Sequence, residues 1–213
     1  MPGGLDYLAE LLGCAGALLR LPEVAVRAVR TSTKKLTPDQ VCAAIAAAQP
    51  EDTILVDESL TTGGRYWELS QNCPSFSHLT LTGGAIGQGP PLAVGAAVAC
   101  PDRRVINFQA DGSGLYSAQA LWTQAHEKLL VTTVVCVNNV YNILKIEQDK
   151  QKLPRKGAQS TGLTDLSGPN IDWVKLANGF GVEAVAVTDY NSLLTELRRG
   201  LEMDGPFLIA AML

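Results

Sequence analysis

The chain has 213 residues, of which 46% are hydrophobic and 18% are charged, so it can bury a core and does not have the composition of a disordered protein. Its length suits one α/β domain with at most a short appendage. Seventeen basic residues against 21 acidic residues give a net charge of −4, which argues against the concentrated basic surface of a nucleic-acid-binding protein.

The cysteines and the apolar stretches bear on the cellular compartment. Five widely spaced cysteines include no C-x-x-C pair, which argues against zinc and favours a reduced, cytoplasmic chain over a disulfide framework. The N-terminal apolar stretch contains Asp6 and Glu10 and has no basic region before it, unlike a signal peptide. Residues 69–100 contain no Asp, Glu, Lys or Arg, but central glycines and prolines would interrupt a membrane-spanning helix. We therefore predict no membrane segment and expect this run to pack against a ligand or another subunit.

The chain divides into a predicted leader or linker over residues 1–35 and one domain over residues 36–213. The domain opens with a helix, because Thr37 can cap it, a proline follows at the first helical position, and Gln40 occupies the reciprocal capping position. This first helix is predicted to end before Pro50.

Strands and helices alternate along the rest of the domain. Short apolar runs typical of buried parallel strands cover residues 53–57, 79–82, 104–109, 131–137, 182–187 and 207–212. The helix-compatible stretches are 61–70, 91–99, 115–128, 171–178 (behind Asn170 as a possible cap) and 191–203. This alternation predicts an α/β fold with a doubly wound, mainly parallel six-stranded sheet and helices on both faces. Residues 148–169 show no clear pattern, and an irregular loop of that length is often functional.

Four predicted loops at the carboxyl ends of strands are rich in small or oxygen-bearing residues, and ligands bind at such ends in open α/β sheets. The loops are 57–62 (DESLTT), 83–89 (GGAIGQG), 110–114 (ADGSG) and 138–142 (NNVYN). In the third, Ser113 could cap the following helix, and Asp111 has two interpretations. It is either an acid that interacts with the helix dipole, or a ligand of a divalent cation that holds a phosphate with the dipole. Mg²⁺ suits the second interpretation because it takes few protein oxygens, and Asn138 would add an amide oxygen.

The order of these features resembles the thiamine diphosphate-binding motif: Asp-Gly-Ser after a strand, a helix containing ALWTQA, a strand, and Asn-Asn 27 residues after the aspartate. The family it resembles contains acetolactate synthase and benzoylformate decarboxylase, and the likeness is to the C-terminal cofactor domain, in the acetolactate synthase-like branch. TLTGGAIGQGPPLAVGAAVACPDRRVI likewise resembles the glycine-rich loop and helix of that family. The resemblance covers about residues 37–213. It implies thiamine diphosphate and Mg²⁺ as cofactors, and decarboxylase or carboligase (lyase or transferase) chemistry on a small 2-oxo acid.

The resemblance implies a set of metal ligands. They would be Asp111, the side chain of Asn138 and the backbone carbonyl of Val140, with Tyr141 following them at the cofactor. Asn138 is preferred to Asn139 because that choice leaves one residue before the carbonyl ligand.

The resemblance also implies contacts with the rest of the cofactor. The Gly84 carbonyl would accept a hydrogen bond from the aminopyrimidine, and Ile86 would lie under the bend of the cofactor. The remaining residues would face the diphosphate, namely Ser59, Leu60, Thr61, Gly112 and Ser113. Two positions depart from the family pattern: Ala110 replaces a glycine, which a small residue should tolerate unless its φ is positive, and Pro90 stiffens the glycine loop.

One part of the family pattern is missing from the sequence. In this family, the glutamate that activates the aminopyrimidine lies in a separate pyrimidine-binding domain, contributed across a dimer interface, and no stretch here has the length or pattern of that domain. We therefore assign no catalytic residue and expect a pyrimidine-domain partner and an oligomer. The chain would be a split subunit or a truncated form of the enzyme; the alternative is a non-catalytic relative that acts as an interaction module. A Rossmann domain is less favoured because no G-x-G-x-x-G follows the first strand.

Other polar and aromatic residues receive mainly structural interpretations. Glu58 could do acid/base work beside Asp57, but a structural or partner-facing role is favoured. His126 is expected at the surface, and a substrate contact for His78 is the less favoured interpretation. The three tryptophans are expected in the core or at an interface.

Overall fold

A computed structural model describes residues 4–13, 29, 31, 35–153 and 158–213. The strands in this part of the chain are β1 (Ile54–Glu58), β2 (Ser77–Thr80), β3 (Val105–Ala110), β4 (Val131–Val137), β5 (Glu183–Val187) and β6 (Phe207–Met212). They form one sheet in the order β2-β1-β3-β4-β6-β5, and every neighbouring pair is parallel. The predicted doubly wound α/β fold is confirmed.

The helices are α1 (Gly4–Leu11), α2 (Pro38–Ala48), α3 (Tyr66–Leu69), α4 (Gly89–Ala99), α5 (Asp111–Gly114), α6 (Ala120–His126), α7 (Asn142–Lys150), α8 (Ala158–Gly162), α9 (Trp173–Gly179) and α10 (Tyr190–Glu202). Successive strand residues point to opposite faces of the sheet. On β1, Leu55 belongs to the core under α2 and α10, whereas Ile54 and Val56 belong to the core under α4. Helices therefore cover both faces of β1.

The strand order creates a crevice between β1 and β3. From β1 the chain moves outward to β2, and it then returns across β1 to form β3. Ligands in open α/β sheets bind outside the carboxyl ends of the strands at such a reversal. The loops that leave β1 and β3 therefore lie where the fold itself predicts a binding site.

Local hydrogen bonds explain where several helices begin. The predicted capping box of α2 is confirmed, because Thr37 Oγ1 accepts from the Gln40 amide (3.3 Å) and Gln40 Oε1 accepts from the Thr37 amide (3.1 Å). The predicted Asn170 cap is wrong: the Asp172 side chain accepts from the Lys175 amide (3.0 Å), so α9 begins three residues later than Asn170.

The helix predicted over residues 115–128 forms but is shorter, since only residues 120–126 belong to α6. The separate short helix α5 lies before this stretch and begins at Asp111, with the extended Ala110 before it. Ser113 does not cap a helix, because its hydroxyl is engaged with Gln109 (2.7 Å from Nε2) and the Ala110 carbonyl (3.3 Å).

The described parts of residues 148–169, which are 148–153 and 158–169, are more regular than their sequence predicts. The end of α7 and the whole of α8 fall within this range. No residue of α7 is fully buried, so the helix lacks the strong apolar periodicity by which helices are recognised in a sequence.

The predictions about cysteines, membrane segments and the N-terminal leader can be compared with the described residues. The four cysteines among them are free, with Cys42 and Cys136 buried; Cys14 lies outside the described residues. Within the described ranges, no helix has the length and apolarity to cross a membrane. Most of the predicted 1–35 leader also lies outside them, so the domain boundary stays a prediction, although Leu36 is already buried.

Helix α4 presents an exposed face without charged residues, which we call the α4 face. It consists of Pro91, Gly95, Val98 and Ala99. Val98 is 61% exposed, and no atom lies within 4 Å of the position of a Cβ on Gly95. Small side chains allow another helix to approach closely, so this face is where the close packing expected of residues 69–100 would occur.

We expect the purified chain to self-associate through the α4 face at high micromolar concentration. Light scattering should then give an apparent mass above the 22.6 kDa of the monomer. Val98→Lys should return the mass to that value, because an unpaired charge is costly to bury. Leu144→Lys, a similar change at an exposed leucine of α7, is the control and should leave the mass unaltered. A wild-type chain that stays monomeric would contradict this expectation.

Candidate functional site

Three of the four predicted loops meet in one cleft at the carboxyl ends of β1, β3 and β4. Its lining consists of Leu60, Thr61, Thr62, Ala110, Asp111, Gly112, Ser113, Asn138, Val140, Tyr141, Asn142 and Ile143. Of the residues that the sequence suggested for a cofactor, Ser59, Gly84 and Ile86 are not part of this lining.

Asp111 joins two of these loops through backbone amides. Its Oδ1 accepts from the Gly112 amide (2.8 Å), and its Oδ2 accepts from the amides of Asn138 (2.9 Å) and Asn139 (2.7 Å). Burial raises the pKa of Asp111 above its ordinary value, although these hydrogen bonds oppose that effect. A carboxylate has about four acceptor positions, so three amides leave capacity for one more partner. Since α5 has only four residues, a capping role does not account for this arrangement.

The loop after β4 forms a tight turn beside Asp111. Asn138 Oδ1 accepts from the Val140 amide (2.9 Å), and Asn139 has a left-handed backbone with φ of 56°. Asn138 and Val140 line the cleft, whereas Asn139 does not, which favours Asn138 as the residue that faces a ligand.

Residues 164–166 hold this turn from outside. The Tyr141 amide donates to the Thr164 carbonyl and the Leu166 amide donates to the Asn139 carbonyl, both at 2.9 Å. Val140 and Asp165 thereby form an antiparallel bridge. The backbone of the turn is therefore fixed from both sides.

Gly112 is required by a close approach between the third and fourth loops. The ring of Tyr141 lies so near that a Cβ on Gly112 would be 2.4 Å from a ring carbon. The Tyr141 hydroxyl also donates to the Gly112 carbonyl at 3.4 Å. The neighbouring Ala110 has a φ of −86°, so alanine fits where the family pattern has glycine.

The loop after β1 is fixed by Asp57. Asp57 Oδ1 accepts from the amide (3.0 Å) and the hydroxyl (2.5 Å) of Ser59, and Oδ2 lies 3.2 Å from His78 Nε2. Burial raises the pKa of Asp57, but the hydrogen bonds from His78 and Ser59 outweigh it, so this pKa lies below its ordinary value. Ser59 is thus buried against Asp57, and the loop residues that reach the cleft are Leu60, with a φ of 52°, Thr61 and Thr62.

The histidines and tryptophans differ in how far they are exposed to solvent. His78 faces Asp57 and is stacked against the ring of Trp67 at 6.2 Å. Trp173 is buried, whereas Trp67 and Trp122 are exposed. His126 is at the surface, as predicted.

The glycine-rich loop lies apart from the cleft, at the end of the edge strand β2. Gly83 and Gly84 are exposed and have φ values of 62° and 71°, a backbone region that favours glycine. Ile86 is half-buried. The structure therefore does not bring Gly84 and Ile86 together with Asp111 in one enclosed pocket.

Glu58 attaches the glycine-rich loop to the rest of the site. Its side chain is buried, and its carboxylate accepts from the Gly87 amide, from the Gly89 amide (2.7 Å) and from Gln109 Nε2 (3.0 Å). The structural interpretation of Glu58 is confirmed. Gln109 was not predicted as a site residue, although the stretch VINFQA carries two polar residues, Asn107 and Gln109, within a buried strand.

The donor atoms at the cleft suit a hard cation. Among the described residues, no group of three or more His, Cys, Asp or Glu side chains lies together. A metal here would have one carboxylate, from Asp111, and neutral oxygens from Asn138 and Val140. Mg²⁺ is commonly held by one or two carboxylates and completes its coordination with phosphate oxygens and water.

Comparisons with known proteins agree with the fold. Residues 61–211 match the family described as "Thiamine pyrophosphate enzyme, C-terminal TPP binding domain". A Mycobacterium tuberculosis protein provisionally named an acetolactate synthase large subunit is 41% identical over an alignment of 222 positions, which covers 98% of this chain and 43% of that protein. Benzoylformate decarboxylase of Pseudomonas aeruginosa is 31% identical over 191 residues, covering 89% of this chain and 35% of that protein.

A solved structure shows the same architecture. The thiamine diphosphate-dependent 4-hydroxybenzoylformate decarboxylase of Rhodococcus jostii RHA1 matches with a TM-score of 0.84 and 31% identity, over 98% of this chain and 38% of that one. The chain thus spans less than half the length of these relatives. The family match extends over more than half of the chain and confirms the resemblance seen in the sequence. This chain belongs to the thiamine pyrophosphate enzymes and carries their C-terminal TPP binding domain.

Proposed function

We propose that this chain binds thiamine diphosphate together with Mg²⁺, as the cofactor domain of an acetolactate synthase-like decarboxylase or carboligase of small 2-oxo acids. The observation that carries the proposal is the buried Asp111 carboxylate, which lines a cleft and keeps an acceptor position after three amide hydrogen bonds. Neutral oxygens of Asn138 and Val140 lie beside it in the lining of the cleft. The donor set therefore suits a metal-bound diphosphate.

The metal ligands in this proposal are Asp111, the Asn138 side chain and the Val140 carbonyl. All three residues line the cleft. The Val140 carbonyl already accepts from the Asn142 amide (2.9 Å), but a carbonyl oxygen has two lone pairs. One carboxylate and two neutral oxygens leave the remaining positions to phosphate oxygens and water, as Mg²⁺ prefers.

The diphosphate in this proposal lies between the first and third loops. Leu60, Thr61, Gly112 and Ser113 line that part of the cleft. Because the Ser113 hydroxyl is engaged with Gln109 and Ala110, Ser113 would contribute its backbone amide. Both polar groups of Ser59 are bonded to Asp57, so we assign Ser59 to the support of this loop.

The glycine-rich loop would face the other end of the cofactor. We assign the Gly84 carbonyl to the aminopyrimidine and Ile86 to the bend of the cofactor. Thiamine diphosphate, when bound, supplies a carbon nucleophile for a carbonyl group and an electron sink for decarboxylation. The residues of this chain orient the cofactor and cover one side of it.

A partner would cover the other side. The chain spans 43% or less of the relatives described above, and we propose that a pyrimidine-binding domain or subunit completes the site in an oligomer. That partner would supply the activating carboxyl group. Glu58 does not take its place, because its carboxylate is bonded to loop amides and to Gln109.

Calorimetric titration of thiamine diphosphate with and without Mg²⁺ tests the binding proposal. We expect Mg²⁺-dependent binding, and Asp111→Asn should weaken it by at least about 10–100-fold, because even residues that only support metal ligands have effects of that size. The variant keeps the size of the side chain but removes the one negative charge assigned to the metal.

Asp102→Asn is the control for this titration, because Asp102 is an exposed carboxylate in the turn before β3. It should bind as the wild type does. Unchanged Mg²⁺-dependent affinity in Asp111→Asn would refute the metal assignment. A wild-type chain that does not bind thiamine diphosphate would favour the interaction-module alternative.

The chain alone should not turn over 2-oxo acids, even when it is saturated with cofactor and Mg²⁺. A positioned general acid or base commonly contributes about 10²–10⁴-fold, and the proposed partner would provide it. Exposure of the glycine-rich loop would also leave water at the reacting centre. Decarboxylation of pyruvate and benzoylformate by the purified chain is the measurement. A turnover of about one per second, within the normal enzyme range, would show that the activating acid lies in this chain.

A further inference from the structure

Glu58 stands out as a buried charged residue outside the proposed metal cleft. It is the last residue of β1, and its neighbour Asp57 faces His78 and Ser59 instead. The three groups that donate to its carboxylate are neutral N–H groups, from Gly87, Gly89 and Gln109. Hydrogen bonds to an ionised acceptor are roughly twice as strong as neutral ones. A buried carboxylate here therefore holds two backbone amides of the glycine-rich loop firmly.

The amide that Glu58 holds at Gly87 fixes the residue before it. A peptide bond is planar, so the direction of the Gly87 N–H group sets the direction of the Ile86 carbonyl. Ser117 donates its hydroxyl to the Gly87 carbonyl at 2.5 Å. A Cβ on Gly87 would lie 2.6 Å from Tyr116 Cβ. Gly87 is thus held through both of its backbone polar groups and by close packing.

The first residues of the glycine-rich loop, Gly83 and Gly84, are exposed. Ile86 directly precedes the fixed Gly87. The residues that we assign to the aminopyrimidine end of the cofactor therefore extend from a base that Glu58 fixes.

The Glu58 side chain does not bind the turn after β4, which carries the proposed metal ligands Asn138 and Val140. There, Asp111 binds the amides of Gly112, Asn138 and Asn139. Glu58 also contacts the third loop: its backbone carbonyl accepts from the Ser113 hydroxyl at 3.5 Å, and its side chain reaches the same hydroxyl through Gln109 Nε2. The direct contact involves only the backbone of Glu58, so the loop amides that the Glu58 carboxylate binds differ from those that Asp111 binds.

We propose that Glu58 is a positioning residue that sets the glycine-rich loop against the aminopyrimidine end of thiamine diphosphate. This inference rests on the proposed function. Glu58 acts through the backbone of Ile86 and Gly87, and it does not touch the cofactor. It controls affinity for the organic part of the cofactor, while affinity for the diphosphate depends on Asp111 and its loop.

The test compares two ligands, thiamine diphosphate and inorganic pyrophosphate, each titrated in the presence of Mg²⁺. Glu58→Gln keeps the size of the side chain, but its amide nitrogen cannot accept from a loop amide. We expect its affinity for thiamine diphosphate to fall by roughly 10–100-fold, which corresponds to the loss of one hydrogen bond to a charged group. Its affinity for pyrophosphate should equal that of the wild type. Glu51→Gln, at an exposed glutamate before β1, is the matched control and should bind both ligands as the wild type does.

Ser117→Ala gives a second test if Glu58→Gln does not fold. It removes the other hydrogen bond at Gly87 from a half-buried position. The affinity for thiamine diphosphate should fall less than in Glu58→Gln, with the same selectivity for that ligand. Thermal unfolding of each variant identifies a general loss of structure.

The outcomes separate the inference from the proposed function. The positioning role is overturned if Glu58→Gln and Ser117→Ala lose the same affinity for both ligands, or if they lose no affinity for either ligand. The proposed function would still stand in that case. If the wild type binds neither thiamine diphosphate nor pyrophosphate, the proposed function is overturned, and this inference with it.

Discussion

Two buried carboxylates that accept from backbone amides hold the candidate site together. Glu58 binds amides of the loop after β2 and the side chain of Gln109 on β3, and Asp111 binds amides of its own loop and of the loop after β4. Burying a carboxylate is costly unless hydrogen bonds replace its hydration. Each carboxylate can therefore be buried only when the loops whose amides it binds are correctly positioned. As a result, the four loops are fixed relative to one another.

The two carboxylates differ in what they present to a ligand. Glu58 faces the amides of the loop, whereas Asp111 lines the cleft and keeps acceptor capacity there. Burial raises the pKa of Asp111 in the folded protein, so folding opposes the ionisation of this carboxyl group. The contribution of Asp111 to the free energy of unfolding therefore falls as the pH rises above the pKa that Asp111 has in the unfolded chain. A bound cation would reverse that effect, because it favours the ionised form. Metal binding and stability of the turn at Asn138 would then be coupled.

The sequence predicts the parts of the molecule that depend on local pattern. The strands were located from apolar runs, and Asp111 and Asn138 were recognised as residues at strand ends. The role of Glu58 could not be predicted in detail, because its partners are backbone amides 29 and 31 residues away and an amide has no sequence signature. The same holds for one contact of Ser113, since only the fold brings the Glu58 carbonyl, 55 residues earlier, within reach of its hydroxyl. Helix α7 was missed because its side chains have no buried face.

The short antiparallel bridge between Val140 and Asp165 has an evolutionary consequence. It brings together the two ends of the segment between Val140 and Asp165, and only the first residues of that segment, Asn142 and Ile143, line the cleft. The entropic cost of closing such a segment rises by only about 0.6 kcal/mol for each doubling of its length. We therefore expect insertions or deletions after Ile143 to be tolerated without displacement of the turn at Asn138. Such length changes would leave the hydrogen bonds of the turn intact.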